Sequence, residues 1–238
     1  MGVRAVLITG AGSRVGRALV AALAGDGHHV CAADSDSDVV QALVDGAGPG
    51  VVLGVAGHGH DPDHQDDAVD YALAAFERID GLVNVVATGG AAPRAGGRGV
   101  PSGWIYRVQL AWMAERGGSI TNVYPVDGPS AETVGALVSV ATREIAARLG
   151  PRTRVTSIVV PVAVGASSGP AGRVDPGSGE RVVPGSGLRV VPATGPADRL
   201  AGLVLRLLAA DTSEFTGRTL LARATGGWSA VDGDPVPD

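Results

Sequence analysis

Val3-Arg4-Ala5-Val6-Leu7-Ile8-Thr9-Gly10-Ala11-Gly12-Ser13-Arg14-Val15-Gly16 opens the chain and decides its fold. Val3 to Ile8 is an apolar, β-branched run with the length of a buried strand. It meets a glycine-rich turn. A helical pattern follows, Val15 to Leu23, with Leu19, Val20 and Leu23 on one face. Strand, glycine turn and helix in this order make a phosphate cradle: the turn brings backbone N–H groups close to an anion, and the helix N-terminus adds positive dipole. Asp34 closes the next apolar run, Val30 to Ala33, at the distance where an acidic residue takes an adenosine ribose.

Working outward, apolar runs of strand length recur at Val51–Val55, Gly81–Val86, Ser119–Val123, Val155–Val160 and Thr219–Ala222. Helical patterns separate most of them: Val39–Val44, Asp67–Phe76, Trp104–Arg116, Glu132–Leu149 and Ala197–Ala210. Near-continuous apolar strands alternating with helices predict a parallel sheet covered on both faces. Right-handed crossovers make it doubly wound. The expectation is an α/β, single-domain Rossmann fold over residues 1–238, with about seven parallel strands.

Composition narrows the function. The net charge is −5, from 19 basic and 24 acidic residues, and no basic block occurs. Nucleic acid and anionic membranes are therefore not expected partners. No apolar run reaches the ~20 residues of a membrane span, and no stretch reads as a signal peptide, so a cytoplasmic protein is expected. Cys31 is the only cysteine. It lies inside the second apolar run and reads as a small buried hydrophobe, which leaves no internal disulfide and no thiolate metal cluster.

The opening resembles the short-chain dehydrogenase/reductase family, whose turn is T-G-x-x-x-G-x-G. Here it is Thr9-Gly10-Ala11-Gly12-Ser13-Arg14-Val15-Gly16, with Arg14 where the middle glycine stands. The resemblance continues through Phe76–Asn84, Gly117–Val123, Arg143–Arg152, Val155–Pro161, the helix from Ala197 and Phe215–Leu220. It implies a nicotinamide cofactor at Gly10, Ser13, Arg14, Val15, Gly16, Asp34, Asn84 and Ala87. Asp34 favours NAD over its 2′-phosphorylated form. Arg14 either blocks the cradle or adds a phosphate contact, so binding is expected to be weakened or lost. The family's adenine-contacting Asp falls near His58.

Family chemistry uses a Tyr acid/base, a Lys four residues on, a Ser at the end of the fifth strand and an Asn on the preceding helix. Ungapped alignment puts the Tyr position at Ala131, the Lys position at Gly135 and the Ser position at Pro125. Gly89–Pro101 replaces much of the Asn-bearing helix, whose last turns survive as Arg107, Leu110 and Met113. Ala131 and Gly135 carry no side-chain proton donor or acceptor. Tyr124, at the strand edge where open α/β sheets bind ligands, is the tentative catalytic residue that remains. Asp127, Ser130 and Glu132 follow it, and Ser130 reads as the N-cap of the next helix.

Three further features complete the reading. His58, His60 and His64 with Asp61, Asp63, Asp66 and Asp67 read as a solvated loop ending in helix-capping Asp residues, not a metal site. Trp104, Tyr106 and Trp112 read as core at helical spacing. Residues 163–196 contain a period-8 repeat (Arg173-Val, Arg181-Val-Val, Arg189-Val-Val) where the family carries its substrate lid, and read as a hairpin or loop. Residues 228–238 read as a frayed tail. The functional expectation is a pseudo-oxidoreductase of this family, kept for binding a small molecule at the C-terminal edge of the sheet or for partnering. The alternative is a divergent NAD-dependent oxidoreductase, or a non-redox cyclase, dehydratase or lyase using Tyr124, Asp127 or a histidine. A homodimer or tetramer is expected from the resemblance.

Overall fold

The computed structural model describes residues 2–86, 102–127, 130–162, 181–182, 189–190, 196–209, 213–222 and 228–231. Its centre is β1 (Ala5–Thr9), flanked by β2 (His29–Asp34) and β4 (Gly81–Val85). Beyond β2 lies β3 (Val52–Ala56); beyond β4 come β5 (Gly118–Asp127), β6 (Thr153–Val162), β9 (Thr219–Ala222) and β10 (Trp228–Ala230). The order is β10-β9-β6-β5-β4-β1-β2-β3. Strand order therefore reverses between β1 and β4, the switch point where open sheets of this class bind ligands.

Strand alternation splits the core into two layers. In β1, Val6 and Ile8 join Leu19, Val20 and Leu23 of α1 (Arg14–Gly25), Leu43 of α2 (Ser37–Gly46) and Leu200, Val204 and Leu207 of α7 (Pro196–Leu208). Leu7, between them, points the other way. It meets Val69 and Ala72 of α3 (Pro62–Phe76) and Trp104, Ile105 and Val108 of α4 (Ser102–Val108). α4 runs on through a π turn (Gln109–Met113) into α5 (Ala114–Arg116). The same layer takes in Ile145 and Leu149 of α6 (Ala131–Leu149). The central strands β1, β2 and β4 bury both faces, which is why their runs read as continuously apolar.

Seven strands run parallel, as expected; the eighth, β10, is antiparallel to β9. Trp228–Ala230 were expected to fray. They pair instead, because Ala230 and Trp228 seal the α1–α7 layer; residues 232–238 lie outside the described residues. α3 begins at Pro62, five residues before the predicted start. Asp61 caps it by accepting from Asp63 N at 3.1 Å, and Pro sits at the first helical position, where its missing N–H costs nothing. The solvated loop therefore ends at Asp61, and His64 is a buried helix residue rather than a loop residue. Ser130 holds the N-cap position of α6 without making a capping hydrogen bond, contrary to its expected role. Of the segment 163–196, β7 (Arg181–Val182) and β8 (Arg189–Val190) pair antiparallel, so two repeats face each other. Most of that segment lies outside the described residues. No helix among the described residues is long and apolar enough to cross a membrane.

Candidate functional site

The glycine turn is built by mutual backbone constraints. Gly10 leaves β1 in the left-handed region (φ +65°), and a Cβ there would run into the Val85 carbonyl. A Cβ on Gly16 would overlap the Gly10 carbonyl, so only glycine lets α1 approach the turn. Ser13 caps α1: its Oγ accepts from Gly16 N at 2.9 Å and donates to Gly10 O at 2.8 Å. Gly12 N donates to Asp34 Oδ2 at 2.8 Å, and a Cβ on Gly12 would come within 2.9 Å of that carboxylate. Arg17 Nε donates to Gly12 O at 2.7 Å. Two amides at this helix end, Arg14 N and Val15 N, have no hydrogen-bond partner among the described residues. Arg14 is exposed, and α1 has no acidic residue in its first turn. A cation near a helix N-terminus is opposed by the dipole at roughly 0.3–1 kcal/mol.

Next to the turn, the end of β2 is tied to the end of β3. Gly57 N donates to Asp34 O at 2.9 Å. Gly59 O accepts from Gln65 Nε2 at 2.6 Å and from Trp104 Nε1 at 3.0 Å. Burial lowers the pKa of His64, whose ring meets Trp104 edge-on with centroids 5.7 Å apart. Trp104 is core, as expected; Tyr106 is instead on the surface and Trp112 half-buried. His58, His60 and His64 join no group of three or more metal-ligating side chains among the described residues.

Across the switch point a polar ladder runs through the sheet. Thr9, Asn84 and Asn122 stand in register on β1, β4 and β5. Thr9 Oγ1 donates to Asn84 Oδ1 at 3.1 Å, and Asn84 Nδ2 donates to Asn122 Oδ1 at 2.9 Å. Asn84 is fully buried, so both ends of its amide serve the sheet rather than the cleft.

The edge between β5 and α6 is apolar. Tyr124 is fully buried among Val126, Ala131, Val134, Val138 and Val159. Its hydroxyl has no hydrogen-bond partner among the described residues, and burial pushes its pKa up. Gly135 is buried one turn after Ala131, and a Cβ on it would come within 3.0 Å of Val231. Pro125 is half-buried on β5. Ala87 lies outside the described residues, as do residues 88–101. Cys31 is fully buried, and burial pushes its thiol up to about 12, as befits a core residue rather than a nucleophile.

Residues 4–96 match the family model described as short chain dehydrogenase. No curated protein matches the sequence. Among solved structures, a hydroxysteroid dehydrogenase from Escherichia coli superposes with a TM-score of 0.69 at 20% identity, covering 94% of this chain and 96% of that one. A 3-ketoacyl-(acyl-carrier-protein) reductase from Brucella melitensis, complexed with NADH, gives 0.62 at 20%, covering 92% and 96%. A 7α-hydroxysteroid dehydrogenase complexed with NADH and 7-oxo glycochenodeoxycholic acid gives 0.66 at 18%, covering 94% of each chain. The first part of the chain is thus similar to short chain dehydrogenases, and the chain as a whole shares the fold of these solved structures. Measured against that family's pattern, the structure brings Gly10, Ser13, Arg14, Val15, Gly16 and Asp34 together at one turn, and it keeps Asn84 apart inside the sheet. One feature legible in the composition bears directly on the relay: all 19 basic residues are arginine, and the chain contains no lysine. The Thr9–Asn84–Asn122 ladder and the Gln65–Trp104 clamp on Gly59 had no sequence signal of their own, since both depend on register between distant segments.

Proposed function

We propose that this chain is a member of the short-chain dehydrogenase/reductase family that binds a nicotinamide dinucleotide along its glycine turn but does not perform hydride transfer through the family's Tyr–Lys proton relay. It is a pseudo-oxidoreductase, kept for ligand binding or partnering in the cytoplasm. The absence of lysine carries the reading, because the chain has no ammonium group to set beside a relay tyrosine as the family's lysine is. Ala131 and Gly135, at the relay positions, offer no titratable group. Tyr124, the fallback acid/base, has a hydroxyl closed off by valines and held in its neutral form.

The turn fits the cofactor. Its tight turn requires glycine, since a Cβ on Gly10, Gly12 or Gly16 would collide with the protein's own atoms, and the amides of Arg14 and Val15 have no hydrogen-bond partner among the described residues, which leaves them available to a phosphate. Ser13, Arg14, Val15 and Gly16 would hold the phosphates. Asp34 would take the adenosine ribose through Oδ1, which already accepts from Asp36 N at 3.2 Å and has acceptor capacity left, and its charge disfavours a 2′-phosphate. When bound, the cofactor supplies a hydride at the nicotinamide ring. This chain's contribution is to bind and orient it, with no proton held ready at the β5–α6 edge.

Thermal-shift and calorimetric titrations test the reading. NADH is expected to raise Tm by mass action, and NADPH to raise it less; no shift with either overturns the cofactor site. The partner belongs to the same reading: Tyr106 of α4, Leu110 of the π turn, and Leu137 and Val140 of α6 are exposed apolar side chains, which suits a homodimer. Light scattering at the monomer mass would contradict it.

A further inference from the structure

We propose that a cavity at the edge of the sheet opposite the glycine turn binds a free α-amino acid, its ammonium at Glu77 and its carboxylate at Arg116. This site is separate from the turn and stands whether or not the turn binds a dinucleotide.

The cavity, of about 400 Å³, opens where β4 and β5 begin and is lined by Phe76, Glu77, Arg78, Asp80, Trp112 and Arg116. Asp80 is committed to the fold. Its Oδ2 accepts from Ala5 N at 2.9 Å; its Oδ1 accepts from Arg78 Nη2 at 2.5 Å and lies 3.6 Å from Arg4 Nη1. The Glu77 carboxylate and the Arg116 guanidinium are not committed. Neither has a hydrogen bond or ion pair among the described residues, and they do not pair with each other although they line one cavity. An open anion and an open cation in one cavity suit a ligand that carries both signs.

Glu77 breaks two local rules. It ends α3 in the left-handed region (φ 59°), where glycine is the usual choice, and no other non-glycine among the described residues has a positive φ. It also sets a negative charge at a helix C-terminus, where the dipole disfavours one. Its N–H caps Leu73 O at 2.8 Å, which a glycine would do equally, so the backbone does not account for the side chain. An ammonium group between that carboxylate and the last carbonyls of α3 would be favoured by both charge and dipole, and a strained residue at a cavity points to function. On the other side, the Arg116 guanidinium carbon lies 5.1 Å from the centre of the Trp112 ring. Contact with the indole steadies the guanidinium and leaves its N–H fork for a carboxylate. Arg78 adds positive potential, since it and Arg4 share the single charge of Asp80. Phe76 and Trp112 supply apolar surface for the amino acid's side chain.

Calorimetry on the full chain at low salt decides it. The probes are L-phenylalanine, hydrocinnamate, which lacks the ammonium, and phenethylamine, which lacks the carboxylate. L-phenylalanine is expected to bind about tenfold more tightly than either analogue. Glu77→Gln should weaken L-phenylalanine about tenfold and leave hydrocinnamate unchanged; Arg116→Gln should weaken it as much and leave phenethylamine unchanged. Both positions are exposed, so both variants are expected to melt close to the native chain, which separates lost binding from lost folding. Hydrocinnamate binding as tightly as L-phenylalanine would make the cavity a plain anion site and overturns the assignment. So does L-phenylalanine that fails to bind, or that binds both variants as tightly as the native protein. NADH should shift the melting of both variants as it does that of the native chain, so these outcomes leave the glycine turn untouched.

Discussion

Two parts of the same sheet edge have diverged. Between β1 and β2, the glycine turn is fixed by polar contacts of set geometry: Ser13 to Gly10 and Gly16, Asp34 to Gly12, Arg17 to Gly12. Between β5 and α6, the corresponding edge is walled by Val126, Val134 and Val138 around a buried tyrosine ring. The first region is specified by backbone and by glycines whose replacement collides with neighbouring carbonyls. The second, on the proposed reading, would depend on side-chain groups at the positions of Pro125, Ala131 and Gly135, none of which carries a titratable side chain. Recognition written into backbone geometry persists as long as the fold does; chemistry written into two or three side chains can be lost while the helix that carried them keeps packing.

Substitutions sharpen that contrast in order of size. Gly16→Ala should be the most damaging, because its Cβ would overlap the Gly10 carbonyl; a loss of about 3 kcal/mol in urea unfolding is expected from such overpacking. Near-native stability would show that α1 can shift, and the turn would be less constrained than described. Asn84→Ala should cost about 2 kcal/mol by stranding Thr9 and Asn122 in the sheet interior. NADH affinity of the folded variant should be unchanged, whereas a selective loss of affinity would return Asn84 to the cofactor site. Tyr124→Phe should be neutral or stabilise by about 1 kcal/mol, since it removes a buried hydroxyl without a partner among the described residues. A destabilised or ligand-deficient Tyr124→Phe would mean the hydroxyl serves a bound molecule.

The smallest effect concerns pH. Burial lowers the pKa of His28 and of His64 in the folded chain. The folded protein therefore resists protonation that the unfolded chain accepts below about 6.5. Stability is full above that value and falls as pH drops through the folded pKa values. Melting temperatures measured from neutral to mildly acidic pH should decline, and His64→Gln should flatten part of the decline. A flat profile in the native protein contradicts the burial of these rings.

Much of the fold was legible because strand and helix periods are written locally. β1 and α1 were set by Val3–Ile8 and by Leu19, Val20 and Leu23, and all seven parallel strands sit where apolar runs predicted them. The start of α3 was missed because its apolar face begins only at Ala68; the Asp61-Pro62 cap was the stronger signal. β10 was missed because three residues after a glycine pair have no periodicity, and only their pairing with β9 orders them. At the site, the turn residues followed from a motif. The role of Asn84 did not, because an asparagine at a strand end reads the same whether it faces a ligand or a neighbouring strand's amide. The closed apolar surroundings of Tyr124 depend on α6 and β6 closing over it, a tertiary fact.

The central claim is that dinucleotide binding and proton-relay chemistry have come apart in this chain. The direct measurement follows nicotinamide absorbance in the native protein saturated with NADH, over a panel of small ketones and aldehydes. The account predicts saturable binding with no carbonyl-dependent loss of absorbance above the protein-free control. Carbonyl-dependent oxidation of NADH that depends on the protein would contradict it.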